Sequence, residues 1–481
     1  MTLTRMFVGG DWRAALDGAE DRAFSPATGE DLGAVAQGGR EDARHAIAAA
    51  VKAYPGWAAE TAFARAVALH RVADVCERRR DELARTCTLD QGKPLSESHD
   101  EVDELIAMWR AAAEDGIRLE GAIPNSSTPG ARVLLIRRPL GVVAVVTPWN
   151  WPYTMPAEIV APALAAGNAV VWTPAPSTAV CSGLLAECVA EADLPPGVFN
   201  FVLGPGPVVG DEIVSHPATA AVGFIGSTAT GRRIAERAAG KSLLLEMGGN
   251  GPLIVLDGAN VDAAAEAAIT ACFLCAGQSC TAGERLVVHE RVRDEFVEKL
   301  AGRVQADVRL GDPFASDTTM GPLNNEPVAA KMDAHVGDAV ERGARVVSGG
   351  TRENGFPTPL YWQATILDGV SADAAVAREE TFGPVAPIVP VGSLEQAIEL
   401  TNASPYGLLA AIFTGNVMDG LRFADSVHAG LVNINETTNY WENHLPFGGR
   451  AGTDSGTGRI GGRHALERLT EIQTIVIGAG S

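Results

Sequence analysis

From Gly141 onward the chain repeats one pattern: a short apolar run, a turn of glycine, proline or serine, then a segment with helical periodicity. Val142-Val-Ala-Val-Val146 leads into Thr147-Pro-Trp-Asn-Trp-Pro152, and Pro156 opens a helix predicted over 156–166. A strand over 169–172 precedes a helix over 177–192, and further strands follow over 198–202 and 221–225. Strands apolar on both faces have to be covered on both faces, so this alternation predicts a parallel sheet between two layers of helices. Ligands of such sheets sit outside the carboxyl ends of the strands, which directs attention to the turns.

The rest of the chain fits around that core. Phe7-Val-Gly-Gly-Asp-Trp12 predicts a hairpin on a Gly-Gly turn. Helical patterning covers 41–113, interrupted at Gly92-Lys93-Pro94. A loop over 124–130 leads to a strand over 132–138 bounded by arginines. A second α/β region begins near Gly249, with strands over 253–256, 285–288 and 344–347 and loops over 378–384 and 446–449. The strands over 132–138 and 471–477 have no evident partner within the chain, so pairing with another subunit is expected there.

Charge narrows the choice of partner. A formal net charge of -21 argues against nucleic acid or an anionic membrane. Seven cysteines without a paired framework fit a reducing cytoplasm. Cys272-Phe-Leu-Cys275 lies in an apolar run and reads as packing, and the scattered histidines indicate no metal site. Met1–Trp12 lacks the pattern of a signal peptide, and no apolar stretch nears the ~20 residues of a membrane span.

Cys280 lies in Phe-Leu-Cys-Ala-Gly-Gln-Ser-Cys-Thr-Ala-Gly-Glu over 273–284, among small residues that leave a sulfur reachable. A thiolate can add to an aldehyde carbonyl, and the adduct can lose hydride to leave a thioester. Asn150, in the turn after 142–146, could donate to the resulting oxyanion together with the Cys280 amide. Glu246, in Leu-Glu-Met-Gly-Gly over 245–249, is a carboxylate beside apolar residues, suited to activating water. There is no GxGxxG. Phe224-Ile-Gly-Ser-Thr-Ala-Thr-Gly231 instead sets Gly226 and Ser227 at a helix start, where amides can face a phosphate.

From about residue 5 to residue 478, and above all in the cysteine and glutamate motifs, the chain resembles the NAD(P)-dependent aldehyde dehydrogenase superfamily. The resemblance implies an α/β fold with a Rossmann-like cofactor-binding domain, an α/β catalytic domain and a small β oligomerisation extension. Residues 1–120 and 139–248 would form the first, 249–450 the second, and 121–138 with 465–481 the third. It implies Cys280 as nucleophile, Asn150 at the oxyanion and Glu246 as general base. Cofactor contacts are expected at Thr147, Pro148, Trp149, Thr173, Gly206, Gly226, Ser227, Glu380 and Phe382, with Glu380 on the nicotinamide ribose and neighbouring Glu379 a surface charge. The substrate pocket is expected at Trp151, Met155, Glu158, Ser279, Thr281 and Phe447. A homodimer or homotetramer acting on a small-molecule aldehyde in the cytoplasm follows.

The chain departs from the family's pattern at several positions. Thr173 replaces a usual lysine and Pro176 a glutamate frequent in NAD-preferring members; loss of the cation removes a natural 2′-phosphate partner and favours NAD, with NADP still open. Ile159 stands where a cation is common, so no proton relay runs through it. Asn250-Gly251 follow the glutamate motif in place of lysine and a small polar residue, and two extra residues fall near Thr453. Glu158 has two readings, a tunnel-wall carboxylate or a first-turn acid of the helix opened by Pro156. A CoA-acylating enzyme, a cysteine hydrolase and a non-catalytic binding protein are the alternatives; Glu246 speaks against the first.

Overall fold

The computed structural model describes residues 3–478. Its centre is an eight-stranded sheet in the order Gly456–Thr457, Ser242–Glu246, Thr219–Ile225, Val142–Val146, Ala169–Thr173, Phe199–Phe201, Met6–Val8, Asp11–Arg13. The five strands from Ser242–Glu246 to Phe199–Phe201 are parallel. Val142–Val146 lies mid-sheet, with later strands added first on one side and then on the other, so the order reverses between it and Thr219–Ile225. That reversal leaves a crevice beyond Val146 and Ile225, where Asn150 and Gly226-Ser227 emerge. The expected hairpin is present, with Phe7 opposite Trp12 and φ of 66° and 96° at Gly9 and Gly10.

The second sheet has seven strands, ordered Arg345–Ser348, Thr365–Asp368, Val385–Val391, Arg285–His289, Pro252–Val255, Leu409–Phe413, Leu431–Ile434. Only the first pair is antiparallel. The sequence suggests three of these strands. Val385–Val391 is disguised by Pro387 and Pro390. Leu408, Leu409, Phe447 and Ile460 pack into the core of the first sheet, so the late chain folds back across it. Gly456 makes this possible: with φ of 104°, a Cβ there would stand 2.0 Å from the Leu245 carbonyl oxygen.

Three expectations are corrected. The helical region has three breaks, not one, giving Arg40–Ala59, Ala62–Arg78, Arg80–Gln91 and Leu95–Ile117. Thr61 starts the second by accepting the Ala64 N–H, a short-range competition that helical periodicity does not reveal. The helix after the Asn150 turn is Thr154–Ala165 and begins before Pro156. Its cap is remote: a Glu101 carboxylate oxygen accepts the N–H groups of Tyr153 and Thr154, at 2.8 and 3.3 Å. Glu158 therefore lies beyond the first turn, and the macrodipole reading of it fails. Finally, Arg132–Pro139 and Thr470–Ile477 are not unpaired; they form one antiparallel ribbon across eight residue pairs. Ile472, Val476 and Ile477 remain exposed on it.

Candidate active site

Cys280 stands between the two sheets because its loop is forced there. The helix Val261–Phe273 ends in Leu274–Gly277, where Cys275, Ala276 and Gly277 take successive left-handed φ values of 51°, 53° and 69°. Left-handed backbone costs roughly 1–2 kcal/mol per non-glycine residue, so it has to be held from outside. Both Glu97 carboxylate oxygens accept the Cys275 N–H. Gln278 donates to the Cys275 carbonyl and accepts from the Asn324 amide. A Cβ on Gly277 would come within 2.2 Å of the Gly383 carbonyl oxygen. Cys275 is buried as expected, but in polar company, with its thiol toward the Asn150 carbonyl and the Gln91 amide.

Two cavities meet at Cys280, and Met155 and Glu246 border both. The sulfur reaches solvent through them although protein encloses the side chain. Burial, followed by the charges of Glu246, Glu158 and Glu380, raises the Cys280 thiol well above its ordinary range. Glu246 terminates Ser242–Glu246, buried and not solvent-facing, with Oε1 lacking any hydrogen-bond partner. Burial pushes its carboxyl up to about 8, against a lowering interaction with the Cys280 thiol and with a raising one from Glu380. Asn150 is buried too, its Nδ2 donating to the Gln278 carbonyl at 2.9 Å. One amide hydrogen is left for a ligand.

The first cavity is lined by Trp151, Met155, Glu158, Ser279, Thr281 and Phe447, and also by Glu104, Asn439 and Trp441. Thr281 donates to Asn439, which in turn donates to the Thr270 carbonyl. The second is lined by Pro148, Trp149, Gly226, Ser227, Glu380 and Phe382. Ser227 caps Thr228–Arg237 by accepting the Thr230 N–H. Glu380 accepts the Gly249 N–H at 3.0 Å, and a Cβ on Gly248 would stand 2.8 Å from both of its carboxylate oxygens. Glycine is thus required for that carboxylate to reach the cavity. Phe382 has φ of 59° and meets Trp149 edge-on, with ring centroids 5.6 Å apart. Thr147, Thr173 and Gly206 stand apart from the lining of either cavity. Thr147 and Thr173 close adjacent strand ends, where the Thr147 N–H donates to the Thr173 carbonyl, and Gly206 is exposed. Glu379 is exposed, and Ile159 is core, packed on Gly223.

Several contributors escape a reading of motifs. Glu284 accepts the N–H groups of Thr381 and Phe382 and so clamps the strained turn that presents Glu380; burial pushes its carboxyl up to about 8. Lys93 and Glu101, both fully buried, pair at 2.7 Å, and the Lys93 ammonium lies 3.5 Å from the Trp151 ring centroid. Ser455 donates to the Gly248 carbonyl and accepts the Gly407 N–H, binding the glutamate motif to the returning chain. Glu284 ends the cysteine motif and was in plain view. The others are visible only once distant segments meet.

A reachable thiol thus stands between two cavities, one lined by tryptophans and three carboxyls and the other edged by a parallel-sheet switch point, where ligands of such sheets sit. The chain belongs to the aldehyde dehydrogenase family, whose model matches residues 12–475. It is 38% identical over 475 residues to succinate-semialdehyde dehydrogenase [NADP(+)] of Escherichia coli (strain K12), covering 98% of this chain and 97% of that one. It matches the crystal structure of succinate-semialdehyde dehydrogenase from Burkholderia pseudomallei with a TM-score of 0.96 and 38% identity, over 98% and 97% of the two chains. Betaine aldehyde dehydrogenase from Staphylococcus aureus, in complex with NAD+, matches with a TM-score of 0.96 and 31% identity, over 99% and 95%. The protein has the aldehyde dehydrogenase fold and is an NAD(P)-dependent oxidoreductase that converts aldehydes to acids. Among the described residues no helix is long and apolar enough to cross a membrane.

Proposed function

We propose that Cys280 is the nucleophile, Asn150 the oxyanion donor and Glu246 the general base of a hydrolytic, non-acylating aldehyde dehydrogenase. One observation carries the reading: a buried Glu246 carboxyl, its Oε1 without a hydrogen-bond partner, meets the only reachable cysteine among the described residues, where the two cavities join. The Cys280 thiol gives up its proton to solvent, its sulfur bonds to the aldehyde carbon, and Asn150 Nδ2 donates to the oxygen that gains charge. The nicotinamide of a bound dinucleotide supplies the hydride acceptor. Once hydride has left, the carbonyl re-forms as a thioester on Cys280. Glu246, in its ionised form, takes a proton from water; the hydroxide adds to the thioester and the sulfur departs, releasing the acid.

The second cavity fits a dinucleotide. Glu380 can accept from vicinal ribose hydroxyls, Trp149 and Phe382 border the ring side, and Ser227 opens the helix at the phosphate side. Thr173 is buried and Pro176 exposed without charge, which favours NAD over NADP. Arg232, which could meet a 2′-phosphate, is paired with Asp454. The exposed apolar face of the terminal ribbon supports a homodimer or homotetramer, and seven free thiols fit the cytoplasm. Wild-type enzyme given NAD, a simple aldehyde and no CoA should form NADH, while Cys280→Ala should form none and still bind NAD. Turnover by Cys280→Ala would end this reading, as would an absolute need for CoA.

A further inference from the structure

We infer that the aldehyde selected by this site carries a cationic nitrogen at the end remote from its carbonyl, held by the carboxylates of Glu158 and Glu104; the inference rests on Cys280 being the nucleophile. The cavity that would take the substrate has three ionisable side chains besides the cysteine, namely Glu104, Glu158 and Glu246, and no lysine, arginine or histidine. Glu246 is committed to water, which leaves two carboxyls for the substrate. Glu158 is only 6% exposed, yet its Oε2 has no hydrogen-bond partner. A buried, unpaired carboxyl is costly unless a ligand completes it.

The surroundings of Glu158 contain nothing to do so. Burial raises its carboxyl well above the ordinary range, and the charges that act on it are those of Glu104 and Glu246, both of the same sign. Lys93 is on the far side of the question: its ammonium lies against the Trp151 ring and is paired with Glu101. Half-buried Glu104 is itself held up to about 7, by burial first and then by Glu101, against a lowering charge on Lys93. The free site thus keeps Glu158 as the neutral acid. An arriving ammonium group displaces that proton to solvent and pairs with the carboxylate. Trp151, which already carries the Lys93 ammonium over its ring, and Trp441 also line the cavity. A substrate with a second carboxylate would instead find no cation among the side chains that line the cavity.

The test compares three aldehydes of equal length bearing an ω-amino, an ω-hydroxyl or an ω-carboxyl group, with NAD and the purified enzyme. The amino aldehyde should exceed the hydroxy aldehyde in kcat/KM by about ten- to a hundredfold, the worth of a charge-assisted pair, with the carboxy aldehyde slowest. In Glu158→Gln and in Glu104→Gln the amino-to-hydroxyl ratio should fall toward one, hydroxy-aldehyde turnover reporting that each variant is folded. An equal or higher kcat/KM for the hydroxy or carboxy aldehyde in wild type overturns the inference while leaving Cys280 in place. Failure of all three to react defeats the Cys280 reading and the inference with it.

Discussion

Glu246→Gln removes the proposed base at almost constant volume. The Glu246 carboxyl is held up to about 8 by burial, against 4.5 in water. At pH 7 it is therefore ionised in about one molecule in ten. The ionised form is the one that can take a proton, so a hydrolysis-limited turnover should rise roughly tenfold per pH unit below pH 8 and level off above it. A general base contributes roughly a hundred- to ten-thousandfold, so steady-state turnover in Glu246→Gln should fall at least a hundredfold. Hydride loss precedes hydrolysis, so stopped-flow absorbance should still record a burst of about one NADH per site. Stability carries the same signature. The folded-state value is raised, so the favourable contribution is complete below about pH 4.5 and is lost as pH rises through about 8. At pH 7 the wild-type carboxyl costs on the order of 3 kcal/mol, and Glu246→Gln should melt no lower than wild type at pH 8. A burst that shrinks in proportion to turnover, or a wild-type rate flat between about pH 6 and 9, would refute the assignment.

Further outcomes are open to measurement. Glu284→Ala strips both acceptors from the strained turn at Phe382; we expect a loss of about 2–4 kcal/mol in denaturant unfolding and a raised KM for NAD, and an unchanged KM would deny that the clamp presents Glu380. With no free cation at Thr173 or Pro176, kcat/KM should favour NAD over NADP by about tenfold or more, and the opposite preference would contradict the reading. Changing Ile472 and Val476 together to lysine should shift the mass measured by light scattering toward that of one chain; a wild-type monomer at micromolar concentration would remove the premise.

What the amino-acid order determined by itself is whatever has a local period or a local steric demand. The doubly apolar runs specify buried parallel strands, and Gly9-Gly10 a left-handed turn. Cys280, Asn150 and Glu246 are legible from local motifs: Cys280 lies among small residues, Asn150 in the Pro-Trp-Asn-Trp-Pro turn after a buried strand, and Glu246 at the end of an apolar run shortly before two glycines. Tertiary structure alone decided the rest, because those contacts join segments whose spacing carries no period. Glu101 caps the helix at Thr154 from 53 residues away. Glu284 holds Phe382 from 98 residues away. Arg132–Pro139 finds its partner at the far end of the chain. Glu158 shows the difference most sharply: in sequence it passes for a helix-start acid, and only the enclosing walls, with a bare Oε2 and Glu104 across the cavity, make it a group in want of a ligand.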